Sequence, residues 1–251
     1  MKNNKWRVVK AETMNGFENM ALDEAVSEAV ARGESPNTIR FFKWHPSTVT
    51  IGYFQSLLEE VAVENCLKKG VDVVRRITGG GAVYHDEKGE ITYSVIARQD
   101  AFPADLTETY KIIGQWITDS LKEIGIEASF QPVNDIIVNG RKISGNAQTR
   151  RNWVVHQHGT ILYDVDVETM FSLLKVGQSK IADKLIQSVK ERVTSVKQNS
   201  NASEKELAQA LVKGFTQGKE FGFGKWGKQE LQRMEELAEQ KYSTREWNYW
   251  R

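Results

Sequence analysis

The sequence has one cysteine and no long apolar run, and each shortage excludes a class of protein. A single thiol, Cys66, excludes an internal disulfide and a zinc site built from cysteines. No run of about 18 apolar residues occurs, so no membrane-spanning helix is predicted. The first residues, MKNNKWRVVKAET, contain no apolar stretch typical of a signal peptide. We therefore expect a cytoplasmic protein without a membrane anchor.

The chain also has little excess of either charge. It carries 34 basic and 33 acidic residues, a net charge of +1. Such a balance gives no field that would attract nucleic acid or an anionic membrane, so neither is expected as a partner. With 251 residues, of which 40% are apolar, the chain is long enough for a sizeable core. We expect one catalytic domain over residues 1–251, richer in helix from about residue 167.

Sequence periodicity predicts strands in the first two thirds of the chain and mostly helices after them. The predicted strands are TIRFFKW, STVTIGYF, VDVVRRI, ITYSVIA and WVVHQHGTILYD, with a hairpin in DIIVNGRKISG around Asn139-Gly140. The predicted helices are ENMALDEAVSEAVARG, residues 56–69, LTETYKIIGQWITDSLKEIG, VETMFSLLKV, KIADKLIQSVKERV, a segment opened by the capping box of Ser203 and Glu206, and KQELQRMEELAEQKY. Hairpin signals outnumber βαβ units, which favours an α+β fold with a mixed, largely antiparallel sheet flanked by helices.

Two motifs suggest ligand sites that their surroundings argue against. GFGKWGK, residues 222–228, matches two phosphate-binding patterns, but a polar helix is predicted before it and Gln229 stands where such a loop needs Ser or Thr. We expect a connection between two helices.

HQHG, residues 156–159, places two histidines on one face of a strand. Because no third ligand cluster accompanies them, hydrogen bonding or packing is expected rather than a metal site.

The stretch RRITGGGAVYHD, residues 75–86, lies between two predicted strands. Three glycines in a row lose much backbone entropy on folding, so something must require them. A glycine loop lets backbone N–H groups approach an anionic or flat ligand, and either Arg75 or Arg76 can point at it. In PVNDIIVNGRKISGNAQTRR, Lys142 lies beside Ser144 and Gly145, which suits a cation in a narrow pocket. A bulged loop with solvated charges remains the alternative.

Taken together, these stretches resemble the lipoate–protein ligase A family, within the group that includes biotin ligases and octanoyltransferases. The matching pieces occur in family order: MALDEAV, RRITGGGAVYHD, NDIIVNGRKISGNAQ, HQHGTIL and SVKERVTSV. The resemblance implies a biotin/lipoate ligase-like catalytic domain. The chain resembles the archaeal-type bipartite ligases that lack the C-terminal domain, so a separate small accessory subunit is expected as a partner.

The resemblance implies a two-step reaction. Lipoate reacts with ATP and Mg²⁺ to give lipoyl-AMP, and a lysine of an H protein or of the E2 subunit of a 2-oxoacid dehydrogenase then takes the lipoyl group. Lys142 matches the family's catalytic lysine, and Asp135 is the expected Mg²⁺ residue. Many ligases have Asn at the position of Glu90, so Glu90 is not included among the expected site residues. The residues expected to bind substrate or ATP are Arg76, Gly79, Gly80, Gly81, Ala82, Val83, His85, Asp86, Asn134, Asp135, Ser144, Gly145, Ala147, His158 and Gly159.

Two other functions stay open at this stage. An ATP-independent octanoyl or lipoyl transferase would need a cysteine nucleophile near the lysine hairpin. SFQPVND, residues 129–135, contains none, and we expect Cys66 to be a buried, inert thiol on a distant helix. A subunit that only binds lipoate or its adenylate would hold ligand but release no AMP. The missing cysteine favours the ligase.

Overall fold

The computed structural model describes residues 5–164, 166–175 and 191–251, and β-strands dominate its first two thirds. The strands are β1 (Trp6–Met14), β2 (Thr38–Trp44), β3 (Thr48–Ile51), β4 (Asp72–Arg75), β5 (Val83–His85), β6 (Glu90–Arg98), β7 (Ser129–Gln131), β8 (Asp135–Val138), β9 (Arg141–Arg151), β10 (Val154–Leu162) and β11 (Phe221–Phe223). At the β8–β9 turn, Asn139 and Gly140 have φ of 48° and 75°. Both values suit the tight hairpin turn that Asn-Gly predicts.

The strands form two sheets. The larger has the order β11-β1-β2-β6-β10-β9-β8-β7, and the smaller has the order β4-β3-β5. In the larger sheet β1 pairs in parallel with β11 and β2. The pairs from β2 through β6, β10, β9 and β8 to β7 are antiparallel. The predicted α+β fold with a mixed, largely antiparallel sheet is therefore confirmed.

Helices cover both faces of the larger sheet. They are α1 (Gly16–Arg32), α2 (Leu57–Glu60), α3 (Val63–Lys69), α4 (Leu106–Lys122), α5 (Val167–Leu173), α6 (Val196–Asn199), α7 (Glu204–Thr216), α8 (Lys228–Leu237) and α9 (Arg245–Asn248), with a 3₁₀ turn at Gln99–Ala101 and a π-helical turn at Ala238–Tyr242. The predicted capping box of Ser203 and Glu206 opens α7. Within the described ranges, no helix has both the length and the apolar character needed to cross a membrane.

The core lies in separate layers because neighbouring strand residues point to opposite faces. Phe41 joins the cluster under α4 and α7, whereas Phe42 joins the cluster under α1 and α8. A third cluster, around Val49 and Ile51 of β3, packs the smaller sheet against α2 and α3. The smaller sheet is thereby held as a separate layer, which leaves room for a cavity between the two sheets.

Several predicted elements need correction. The helix predicted over 56–69 is two short helices, because Ala62 N–H donates to Leu173 O and Lys175 N–H donates to Glu60 O across the break. Strand β1 was not predicted. Strand β11 occupies the start of GFGKWGK, which otherwise connects α7 to α8 as expected. Most of the predicted helix KIADKLIQSVKERV lies outside the described residues.

Candidate active site

A cavity of about 330 Å³ lies where β5, β6, β9 and β10 converge beside α5. This volume is within the range of small-molecule sites. It brings together most of the residues expected to bind substrate. Those in its lining are Arg76, Gly80, Gly81, Ala82, Val83, His85, Asp86, Asn134, Lys142, Gly145, Ala147, His158 and Gly159. Gly79, Asp135 and Ser144 are not in the lining; Gly79 and Asp135 contact residues that are, and Ser144 is fully buried.

The triple glycine forms one wall of this cavity. Gly80 has φ of 93°, which side-chain-bearing residues rarely adopt. A Cβ at Gly52, on the other side of the loop, would lie 2.0 Å from the carbonyl oxygen of Gly80. A Cβ at Gly79 or Gly81 would meet nothing within 4 Å among the described residues. Packing within the chain therefore explains the glycines at 52 and 80 but not those at 79 and 81.

Arg76 fixes this loop from inside the protein. Its Nη2 donates to the carbonyl oxygens of Gly79 and Gly81 at 2.6 and 2.8 Å. Burial lowers the pKa of Arg76 to about 10, and across the described residues the guanidinium has no carboxylate partner. Arg75 points the opposite way and donates to the carbonyl oxygens of Trp247 and Asn248. Of the two arginines, Arg76 is the one in the cavity lining.

Lys142 supplies a second cation. Its Nζ lies 2.8 Å from Oδ1 of Asp135, and its side chain is 42% exposed. A Cβ at Gly145 would lie 2.7 Å from Lys142 Nζ, so only glycine lets the ammonium lie along the strand there. Beside it, Asn134 and Asn146 exchange side-chain to backbone hydrogen bonds. Asn146 lines the cavity, although it is not among the site residues predicted from the sequence.

The two histidines of HQHG do meet on one strand face, with ring centroids 5.1 Å apart. The expectation that no third ligand group accompanies them is wrong, because Asp23 of α1 lies within reach of both. Asp23 also pairs with Arg40 at 2.9 Å. Burial tends to raise the pKa of Asp23, but Arg40 and His156 outweigh it and hold that pKa well below its usual range. A metal ion would compete with the guanidinium for this carboxylate, which already accepts hydrogen bonds from Arg40 and Ser94.

Glu90 lines the cavity despite its exclusion from the predicted site. The carboxylate is buried and lies 2.6 Å from Nδ1 of His85, while Thr92 Oγ1 donates to it at 2.8 Å. The other ring nitrogen of His85 contacts Thr50 Oγ1 at 3.0 Å, and its ring stacks on Trp44. Because these neighbours satisfy the acid, Glu90 braces His85 at the cavity wall.

The remaining lining combines apolar and polar side chains, and the apolar ones were not predicted from the sequence. It comes from separate elements, so no local spacing signals it; its members include Met20, Trp44, Tyr84, Leu162, Met170 and Leu174. The apolar members of this lining can hold an aliphatic chain, while the charges of Arg76 and Lys142 can attract an anion. The cavity therefore suits a ligand with one charged and one apolar end.

Cys66 is fully buried in the cluster beneath the smaller sheet and does not line the cavity. Burial raises the pKa of the Cys66 thiol to about 11. Only the thiolate is an effective nucleophile, and such a pKa leaves very little of it at neutral pH. The predicted burial of this thiol is confirmed.

The chain belongs to the lipoyl protein ligase A/B catalytic domain family, whose model matches residues 15–216. The predicted family is confirmed. The chain is therefore an enzyme of the lipoate ligase and octanoyltransferase family.

Curated relatives and solved structures carry different activities in their names. The chain is 35% identical to an octanoyltransferase LipM of Brevibacillus brevis, across 97% of this chain and 98% of the relative. The LipM of Anoxybacillus flavithermus is 34% identical over the same shares. A structure of a bipartite lipoate protein ligase and its E2 lipoyl domain from Thermoplasma acidophilum is 31% identical, with a TM-score of 0.88 over 98% of this chain and 96% of that one. A lipoate-protein ligase A bound with ATP is 30% identical, with a TM-score of 0.83 over 98% of both chains.

Proposed function

We propose that this chain is the catalytic subunit of an ATP-dependent lipoate–protein ligase. In the first step the lipoate carboxylate attacks the α-phosphorus of MgATP, which forms lipoyl-AMP and releases pyrophosphate. In the second, a lysine amine of the acceptor attacks the acyl carbonyl and AMP leaves. The observation that carries this proposal is the placement of Cys66, the one cysteine, which is buried away from a cavity that does contain Arg76 and Lys142.

The two cations account for the first step. Two anions, a carboxylate and a triphosphate, must meet, and each repels the other unless positive charge lies between them. Arg76 is a buried cation with no acidic partner in the described part of the chain; its N–H groups bond to the protein, so it is its positive charge at the cavity wall that can attract an anionic group of the substrate. Lys142 is half-exposed at the cavity wall and can reach the phosphate or the developing oxyanion. Removing such a contact commonly costs about 3–4 kcal/mol in the transition state.

The glycine loop and the apolar wall account for the shape of the substrate. Packing against the described residues leaves Gly81 unexplained, and a ligand that lies against the loop backbone in the cavity supplies the reason for it. The eight-carbon acyl chain then lies along Met20, Trp44 and Leu174. We propose that the residues of the glycine loop, β9 and β10 for which the family resemblance implies a binding role contact the substrate and ATP.

Magnesium enters the proposal as part of the MgATP substrate. Mg²⁺ is usually held by one or two carboxylates together with substrate phosphates. Asp135, the residue expected for it, contacts Lys142, so its carboxylate already neutralises an ammonium. Asp86 offers a second carboxylate in the cavity lining. We propose that the phosphates carry the ion and that these acids only approach it.

An octanoyltransferase is the second candidate, and the curated relatives favour it over the ligase. That reaction passes an acyl group from a carrier thioester to an enzyme thiol and then to the acceptor lysine, without ATP. In this chain the thiol would have to be Cys66, which must first become exposed and deprotonated. Both candidates use a lysine of a lipoyl domain as acceptor.

An accessory subunit is part of the ligase proposal. The Thermoplasma ligase that this chain resembles over nearly its whole length is described as bipartite. We propose that this chain likewise needs a separate small subunit to form lipoyl-AMP.

The experiment that tests the proposal is isotope exchange between pyrophosphate and ATP, with and without lipoate and a candidate small subunit. Lipoate-dependent exchange supports adenylation. The second arm incubates the chain with an octanoyl carrier protein and reads the chain's intact mass. An octanoyl adduct on Cys66 with no exchange in the first arm would replace the ligase by the transferase, and bound lipoate without exchange would leave only a binding subunit.

A further inference from the structure

Thr78 links two charged parts of the cavity wall. It follows β4 in the chain and is fully buried. Its Oγ1 lies 3.1 Å from Nε of Arg76 and 2.7 Å from Nε2 of His158. On its far side, Nδ1 of His158 lies 3.6 Å from Oδ2 of Asp23. Asp23, His158, Thr78 and Arg76 therefore form one continuous polar chain from α1 to the glycine loop.

The direction of the protons in this chain follows from the donors. Nε of Arg76 always carries a proton, so Thr78 Oγ1 accepts from it and keeps its own proton to donate. Among the described residues, Nε2 of His158 is the hydrogen-bonding neighbour able to accept this proton, and it does so in the tautomer in which Nε2 is unprotonated. Burial lowers the pKa of His158 to about 4, so the ring is neutral at pH 7. Its single proton is thus on Nδ1, facing the Asp23 carboxylate.

Asp23 favours the same arrangement. At 3.6 Å the contact with His158 is longer than a full hydrogen bond and acts mainly electrostatically. A carboxylate facing Nδ1 still stabilises the tautomer with a proton there. Arg40 and Ser94 hold the carboxylate in place, at 2.9 and 2.7 Å from its two oxygens. Asp23 is therefore fixed by the sheet and acts on the ring from behind.

We propose that the Thr78 hydroxyl is the positioning group of this site: it fixes the His158 tautomer, with Asp23 behind it, and holds Arg76 against the glycine loop. The role of Arg76 toward substrate rests on the proposed function, but the tautomer does not. His158 and Arg76 line the cavity, whereas Thr78 and Asp23 are not in its lining. Thr78 and Asp23 thus act through other residues and are not catalytic themselves.

The substitution that isolates the hydroxyl is Thr78→Val, which keeps the shape of the side chain. It leaves Nε of Arg76 and Nε2 of His158 without their shared partner. Losing a hydrogen bond to a charged group corresponds to a fall on the order of 10- to 100-fold in kcat/KM for acyl transfer. Thr78→Ser keeps the hydroxyl and is expected to stay within about threefold of the unaltered protein. Thr118→Val is the matched control, because the hydroxyl of that buried threonine donates to Gln115 O within α4 and has no partner elsewhere in the described ranges.

The test reads the histidine tautomers by ¹⁵N NMR in the free protein, where four histidines give a resolvable spectrum and His158→Gln assigns the signal. We expect His158 to carry its proton on Nδ1 in the unaltered protein and in Thr78→Ser, and to populate the Nε2 tautomer in Thr78→Val. An Nε2-protonated ring in the unaltered protein overturns the proposal. So does a Thr78→Val protein with unchanged tautomer and unchanged transfer rate. The spectrum needs no substrate, so failure of the ligase assay leaves this test intact.

Discussion

Replacing Lys142 with alanine separates a catalytic role from a structural one. The ammonium contacts Asp135 at 2.8 Å, but the two side chains are 42% and 35% exposed. Such a pair contributes at most about 1 kcal/mol to the free energy of unfolding, because water screens it. The same charge placed next to a developing oxyanion stabilises the transition state by about 3–4 kcal/mol. Lys142→Ala should therefore lower the transfer rate about 10²- to 10³-fold while leaving the free energy of unfolding within about 1 kcal/mol.

The assay measures acyl transfer to a lipoyl domain under single-turnover conditions, alongside urea unfolding of the same preparations. Lys213→Ala is the matched control, since Lys213 makes an exposed ion pair with Glu123 and lies outside the cavity lining. It should change neither quantity by more than a small amount. A rate loss of less than about tenfold in Lys142→Ala, or a loss of stability above about 2 kcal/mol, would refute the reasoning.

Three further predictions concern the cavity and its surroundings. Cys66→Ser should leave transfer activity unchanged and lower the free energy of unfolding by about 1–3 kcal/mol, because it buries a hydroxyl among apolar side chains; urea unfolding and the rate check both. Gly80→Ala and Gly33→Ala both place a Cβ at positive φ and should each cost about 1–2 kcal/mol, but only the former, 2.9 Å from Arg76 Nη2, should reduce activity. Because the folded-state pKa of His158, about 4, lies below its ordinary 6.5, the unfolded state binds more protons between these values. The free energy of unfolding should rise with pH over that window, and His158→Gln should flatten the rise in a pH series.

Much of the fold was predictable because local signals agreed with the tertiary structure. β-branched residues lie on both sides of Asn139-Gly140, and the hairpin forms there. The helix ending at Gly33 stops where glycine takes φ of 75°. The helix predicted over 56–69 failed because backbone groups of residues 60–62 pair with residues 173–175, a contact that no local pattern shows.

The site likewise contains residues that could be predicted from the sequence and residues that could not. The triple glycine and Lys142 lie in unusual stretches of sequence that follow each other in a recognisable order. They could therefore be predicted from the sequence alone. Asp23 and Thr78 look like an ordinary helix acid and an ordinary loop hydroxyl. Their contacts with His158 form only where α1, β10 and the end of β4 meet, and the sequence does not show that these elements pack together. Apolar lining residues such as Leu174 could not be predicted as cavity residues either, because every protein core contains similar side chains.

The central claim, that acyl activation needs ATP, is tested most directly by the intact mass of an acceptor lipoyl domain. The chain is incubated with that domain and either lipoate plus MgATP or an octanoyl carrier protein without ATP, each with and without a candidate small subunit. We predict a lipoyl mass increase only with lipoate and MgATP, and faster when the subunit is present. An octanoyl mass increase without ATP would contradict the account and make Cys66, despite its burial, the residue to explain.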